Sequence, residues 1–137
     1  NWGIIMSWTS MGYDISYNIL TLYTAAIFWT LGYDTIYGAQ DMSDDEIIGI
    51  KSTSIKFKKN LKIFVFVAYM ITILNLTYFF YDMIGWNIFS IFLICFFLSL
   101  IFQVYKFDKS SPKKCLQIFK SNNYSGLFLF TGILLIN

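Results

Sequence analysis

A chain of 137 residues that is 57% hydrophobic, 21% aromatic and 13% charged departs from soluble domains, where about a quarter of residues carry charge, and reads as a membrane protein. Its formal net charge of +2, with no basic stripe to follow a phosphate backbone, excludes a nucleic-acid partner. The absence of histidine excludes a histidine triad, a histidine–zinc site and histidine as general base.

Residues 1 to 10 are apolar and carry Trp2 and Trp8, rings suited to a membrane interface. They read as the end of a helix already under way. With Asn1 at the start and no signal peptide ahead of it, the chain is expected to be the later portion of a longer membrane domain. Met11 to Asn18 is a short polar connection holding Asp14. Apolar runs follow at about 15–37, 61–80, 86–105 and 124–136. About 20 residues cross the hydrocarbon core, so the first three predict crossings, whereas the last is short, and either tilted or cut off by the chain end. Tyr81 to Gly85 is a tight polar turn, and Lys106 to Asn123 a polar connection broken at Ser110-Ser111-Pro112. There is no internal repeat. The predicted fold is all-α, a polytopic transmembrane helical bundle forming part of one larger domain.

The lysines orient the bundle. All ten fall in two segments, 51–62 and 106–120, and none in the connections at Met11–Asn18 or Tyr81–Gly85. Alternating crossings put both lysine-rich segments on one face, which the positive-inside rule makes cytoplasmic. The acidic stretch just ahead of Lys51 is then cytoplasmic too, and the expected location is a bacterial inner membrane crossed several times. Cys95 lies in an apolar run and Cys115 in a lysine-rich one; they share no metal-ligand spacing and read as structural. Asn75-Leu76-Thr77 is a glycosylation sequon inside a membrane run, hence unusable, and Asn75 is expected to hydrogen-bond between helices.

The stretch Gly32–Thr53, GYDTIYGAQDMSDDEIIGIKST, holds five of the eight acids: Asp34, Asp41, Asp44, Asp45 and Glu46. Acids at the mouth of a membrane helix are costly to keep, which favours a functional role. Carboxylates without histidine or thiolate suit Mg²⁺, which takes one or two of them and completes its shell with water and substrate phosphate. If the helix runs on unbroken, Asp34, Asp41 and Asp45 share one side of it, flanked by Tyr37 and Gly38. Alternatively, Ser43-Asp44-Asp45-Glu46 is a capping box that opens a new helix. Either way Asp41 and Asp45 can converge on one cation, and Lys51 can neutralise phosphate oxygens. The bland alternatives stand beside these: Asp44, Asp45 and Glu46 as a solvated first turn favoured by the helix dipole, Lys51 as one more positive-inside charge.

This stretch resembles the second aspartate-rich motif of the UbiA-type intramembrane prenyltransferases, nearest to the ubiquinone-pathway branch. The likeness extends to Asn1-Trp2-Gly3, to Ile27-Phe28-Trp29-Thr30 and to Asn122-Asn123-Tyr124-Ser125-Gly126, nearly the whole chain. It implies a helical bundle around a cavity open sideways to lipid. It also implies transfer of a polyprenyl group from polyprenyl diphosphate to the ring carbon ortho to the hydroxyl of 4-hydroxybenzoate. On the family pattern Asp41 and Asp45, with Asp44 alongside, are the Mg²⁺ ligands; Tyr33 and Asp34 match its Tyr-Asp and Lys51, Ser52 and Thr53 its Lys-Ser-Thr. Asp34, Asp41, Asp45 and Lys51 are then the catalytic set, Lys51 and Tyr37 the diphosphate contacts. Tyr33 and Tyr37 offer ring faces to an allylic cation or simply pack. The family's first motif, N-D-x-x-D-x-x-x-D, and its arginine partner do not occur here, which fits a partial chain. Other readings are a menaquinone, tocopherol-type or haem-modifying prenyltransferase, a cation-coupled transporter, or a purely structural helical module.

Overall fold

A computed structural model describes residues 1–136. Seven α-helices run through the described residues: α1 Gly3–Ser10, α2 Tyr17–Gly38, α3 Met42–Ile48, α4 Thr53–Lys56, α5 Leu61–Phe79, α6 Ile88–Lys106 and α7 Pro112–Leu134. The fold is all-α. Two helices, Lys58–Phe79 and Ile88–Lys106, are long and apolar enough to cross a membrane, with mean hydropathies of 1.7 and 2.4. The 22-residue α2 and 23-residue α7 are each about 33–35 Å long at 1.5 Å per residue, and are more polar.

The long helices pack as two pairs, α2 along α5 and α6 along α7, joined by α2–α7 and α5–α6 contacts. α5 turns Leu61, Val65, Ala68, Tyr69, Thr72 and Leu76 inward, the three-and-four spacing of a one-sided helix. α6 does the same with Phe89, Leu93, Phe96 and Leu100. Outside stand Ile63, Phe66, Val67 and Leu74 of α5 and Ile91, Ile94, Leu98 and Ile101 of α6, each 46–63% exposed. In water such a surface is an association hazard; helices that cross a membrane commonly carry one, since lipid tails are as apolar as leucine.

A polar seam crosses this apolar interior. Tyr69 Oη donates to Gln103 Oε1 (2.7 Å), and Gln103 Nε2 donates to Ser125 Oγ (2.8 Å). Asn122 Oδ1 accepts from Trp29 Nε1 at 2.9 Å and from Gln103 Nε2 at 3.5 Å. One chain of bonds thus ties α5, α6, α7 and α2. Gly32 lets Tyr69 reach its place, because a Cβ there would lie 2.6 Å from Tyr69 Cδ1.

Three expectations are corrected. The Lys106–Asn123 segment is not mainly a connection, since α7 already begins at Pro112. Cys115, Ile118 and Ser125 form its buried face while Lys113, Lys114 and Lys120 stay exposed, so the lysines ride on the outside of a helix. Asn75 does not bridge helices: its Nδ2 donates to Ile71 O of its own helix (2.8 Å), whereas Thr72 Oγ1 reaches across to Ala25 O (3.3 Å). The capping box does not form, because α3 starts at Met42 with no side-chain cap bond. The lysine-rich segments do meet at one end of the bundle, where Lys109 Nζ donates to Lys58 O (2.9 Å) and Lys62 Nζ to Tyr105 O (3.2 Å).

Candidate active site

The last turns of α2 carry different chemistry on two sides. On one side Thr35, 1% exposed, accepts a hydrogen bond at its backbone oxygen from Ser54 Oγ of α4 (3.0 Å). Gly38 makes this contact possible, since a Cβ there would stand 2.5 Å from the same hydroxyl. Ser52 caps α4 by accepting from the Ile55 N–H (3.3 Å). Residues 39–53 therefore form a closed loop, both ends of which are pinned to the end of α2. On the other side Tyr33 and Tyr37 lie against Phe119 of α7, with ring centroids 6.0 and 4.8 Å apart, and Trp29 stands edge-on to Tyr33 at 6.1 Å.

Within the loop α2 ends at Gly38 and α3 begins at Met42, so the unbroken helix is ruled out and Asp34 shares no continuous face with Asp41 and Asp45. Asp41 occupies the position that opens α3; its carbonyl accepts from the N–H groups of Asp44 (3.1 Å) and Asp45 (2.9 Å). Buried Ala39 and Met42 anchor this corner, and α3 stops at Gly49, whose φ of 82° is left-handed. Asp34 and Asp44 are exposed, Asp41 and Asp45 half-buried. Glu46 is bound elsewhere, in an exposed ion pair with Lys58 (2.7 Å). Lys51 lines a shallow cleft with Leu31, Ser52, Thr53, Phe57 and Phe64, and none of the five acids lines it.

Among the described residues no three acidic or sulfur side chains stand close enough to hold a metal ion. Asp41 and Asp45, four residues apart across the start of α3, are the pair left for that task. Mg²⁺ usually asks a protein for one or two carboxylates and takes its other ligands from water and phosphate, so the donor chemistry fits although no closed cage is present among those residues. A further oxygen lies beside the pair. Gln40 Nε2 donates to Asp41 Oδ1 (3.2 Å), while Gln40 Oε1 is buried without a hydrogen-bond partner among the described residues. Leaving such an acceptor unpaired costs on the order of 1–3 kcal/mol.

Sequence reasoning passed over Gln40, the Thr35–Ser54 closure and the Tyr69–Gln103–Asn122 seam. Polar residues inside apolar runs were the available signal, since each has to find a partner in a low-dielectric interior. The Trp29–Asn122 bond also brings together two separate segments that carry the family resemblance.

The family model described as the UbiA prenyltransferase family matches residues 1–131. The chain is 37% identical to "4-hydroxybenzoate polyprenyltransferase, mitochondrial" of Arabidopsis thaliana, over 98% of this chain and 33% of that protein. It is 34% identical to the protein of the same name from Homo sapiens, over 100% of this chain and 37% of that one. It is 31% identical to "4-hydroxybenzoate octaprenyltransferase" of Pseudomonas putida (strain W619), over 98% of this chain and 46% of that protein. The chain thus spans between a third and just under half of these relatives. No solved structure matches. With a helical bundle, an acid-bearing loop closed on its second helix and a family match that reaches almost from end to end, the chain belongs to the UbiA prenyltransferase family.

Proposed function

We propose that this chain carries part of the active site for moving a polyprenyl group from its diphosphate to the ring carbon ortho to the hydroxyl of 4-hydroxybenzoate. The observation that carries the reading is the Asp41/Asp45 pair in a loop pinned at the lysine-rich end of the bundle. It lies in a chain whose relatives bear that enzyme name. An anionic head and a greasy tail meet at this depth of a bilayer. Relatives named as mitochondrial and a Pseudomonas relative are both among the matches, so the bilayer is proposed without choosing between those membranes.

Each residue is assigned a task. Asp41 and Asp45, with Asp44 beside them, hold Mg²⁺, which when bound neutralises charge on a diphosphate leaving group. Lys51 and Tyr37 are assigned to the diphosphate and Asp34 to catalysis, with Asp34 and Tyr37 on the last turns of α2 and outside the cleft that Lys51 lines. The rings of Tyr33, Tyr37 and Phe119 shut out water that would hydrolyse an allylic cation and offer it their faces. The carbon–oxygen bond breaks with its electron pair going to diphosphate. A ring π pair of the acceptor then forms the new carbon–carbon bond, and loss of the ring proton restores aromaticity.

The test reconstitutes the full-length protein that contains this chain with labelled polyprenyl diphosphate and a panel of aromatic acceptors. Label on 4-hydroxybenzoate is expected; label on dihydroxynaphthoate alone overturns the choice of acceptor. Asp41→Asn and Asp45→Asn each lower turnover at least about 100-fold, the low end for removing one charge-stabilising group, while membrane insertion is unchanged. Undiminished turnover in either variant removes the acid pair from the mechanism.

A further inference from the structure

The Gln40 side chain makes one hydrogen bond among the described residues, from Nε2 to Asp41 Oδ1 at 3.2 Å. A carboxylate only accepts, so the nitrogen end of the amide has to face Asp41. That fixes the oxygen at the other end of the same rigid plane, where it is buried and unpaired. It is the one buried side-chain polar atom among the described residues left in that condition. Native interiors keep few such acceptors, and each calls for a physical reason. Here the unpaired oxygen belongs to the same amide whose nitrogen holds Asp41, an acid already assigned to the cation. A donor from outside the described residues would satisfy it. Diphosphate and carboxylate groups carry no proton to donate near neutral pH, but the water shell that Mg²⁺ retains on binding does.

We propose that Gln40 is a positioning residue for the divalent cation: its Nε2 fixes the Asp41 carboxylate, and its Oε1 accepts from a water that the cation carries. The inference rests on the prenyl-transfer reading above. Partners of metal ligands commonly act in this way, orienting the carboxylate and setting its basicity. A purely structural amide makes the opposite prediction, because stability rather than cation affinity then depends on it.

The experiment uses the protein in nanodiscs of neutral lipid, with Mn²⁺ as the probe and free Mn²⁺ read by electron paramagnetic resonance. Gln40→Leu keeps the volume and removes both polar ends. It is expected to weaken Mn²⁺ binding about 10- to 100-fold, the usual range for a ligand's outer partner. Its thermal midpoint stays level or rises, since a buried unpaired acceptor has gone. Gln40→Glu keeps an acceptor at the same reach but has no proton to donate to Asp41, so it recovers only part of the affinity. Asp41→Asn and Asp45→Asn separate the two readings. If they abolish Mn²⁺ binding while Gln40→Leu binds like wild type, the Gln40 inference fails and the acid-pair reading stands. If they leave Mn²⁺ binding untouched, the acid-pair reading fails and takes the inference with it. A Gln40→Leu protein that loses stability and affinity together, with Gln40→Glu no better, also overturns the inference.

Discussion

Replacing Gly32 with alanine probes the closest approach in the bundle. The added Cβ would meet Tyr69 Cδ1 at 2.6 Å and Cζ at 3.2 Å. Tyr69 is 2% exposed, so its ring has no open space to enter. Overfilling a packed interior costs about 1–3 kcal/mol. Displacing the ring also breaks the 2.7 Å bond from Tyr69 Oη to Gln103; polar bonds between membrane helices average about 0.6 kcal/mol and reach about 1.7. The expected loss is therefore about 1.5–4.5 kcal/mol, read as reduced resistance to SDS-induced unfolding in mixed micelles. Adding Tyr69→Leu to Gly32→Ala recovers part of that loss, because the shorter side chain gives up the atoms that collide. Stability within about 0.5 kcal/mol of wild type, the scatter of an inconsequential substitution, would refute the account of how α2 and α5 meet. So would a double variant no better than the single one.

Glu46→Gln removes only an exposed ion pair; such pairs contribute about 0–1 kcal/mol, and turnover is expected to stay at the wild-type level. A large drop in the transfer assay would bring Glu46 into the site. Asp108, in the connection between α6 and α7, is held below the usual carboxylate range, first by the Ser110 hydroxyl and N–H and also by Lys114. A lowered folded-state pKa stabilises above the unfolded value and ceases to as pH falls through the folded one. Protection of the Ser110 amide against hydrogen exchange, corrected for intrinsic rates, is thus expected at neutral pH and lost only below the ordinary carboxylate range; equal protection throughout would refute it.

How far the fold could be read from sequence depended on how polar each helix's inner face is. α5 and α6 bury leucine, valine and phenylalanine, so hydropathy exposes them directly. α7 buries Cys115, Ser125 and Gly132 on the same three-and-four spacing, and its first turns carry three lysines outside. Hydropathy averages these into a polar connection, although the period is present. The acidic loop was visible because charge next to a membrane run stands out. Its geometry was not: α2 ends at Gly38, where the backbone packs against Ser54, sixteen residues further on. Gln40 was hidden for another reason. A lone glutamine beside an aspartate says nothing until one end of its amide is found without a partner.

The Tyr69–Gln103–Asn122–Trp29 seam bears on how the bundle assembles. Sliding α7 by one residue past its neighbours would rotate Asn122 and Ser125 by about 100°, stranding the Trp29 indole and the Gln103 amide in hydrocarbon. Leucine-rich helices tolerate several registers almost equally; this one is penalised for all but one. α7 therefore finds its position against two donors, the Trp29 indole of α2 and the Gln103 amide of α6. The place of Phe119 over Tyr33 and Tyr37 is inherited from that match.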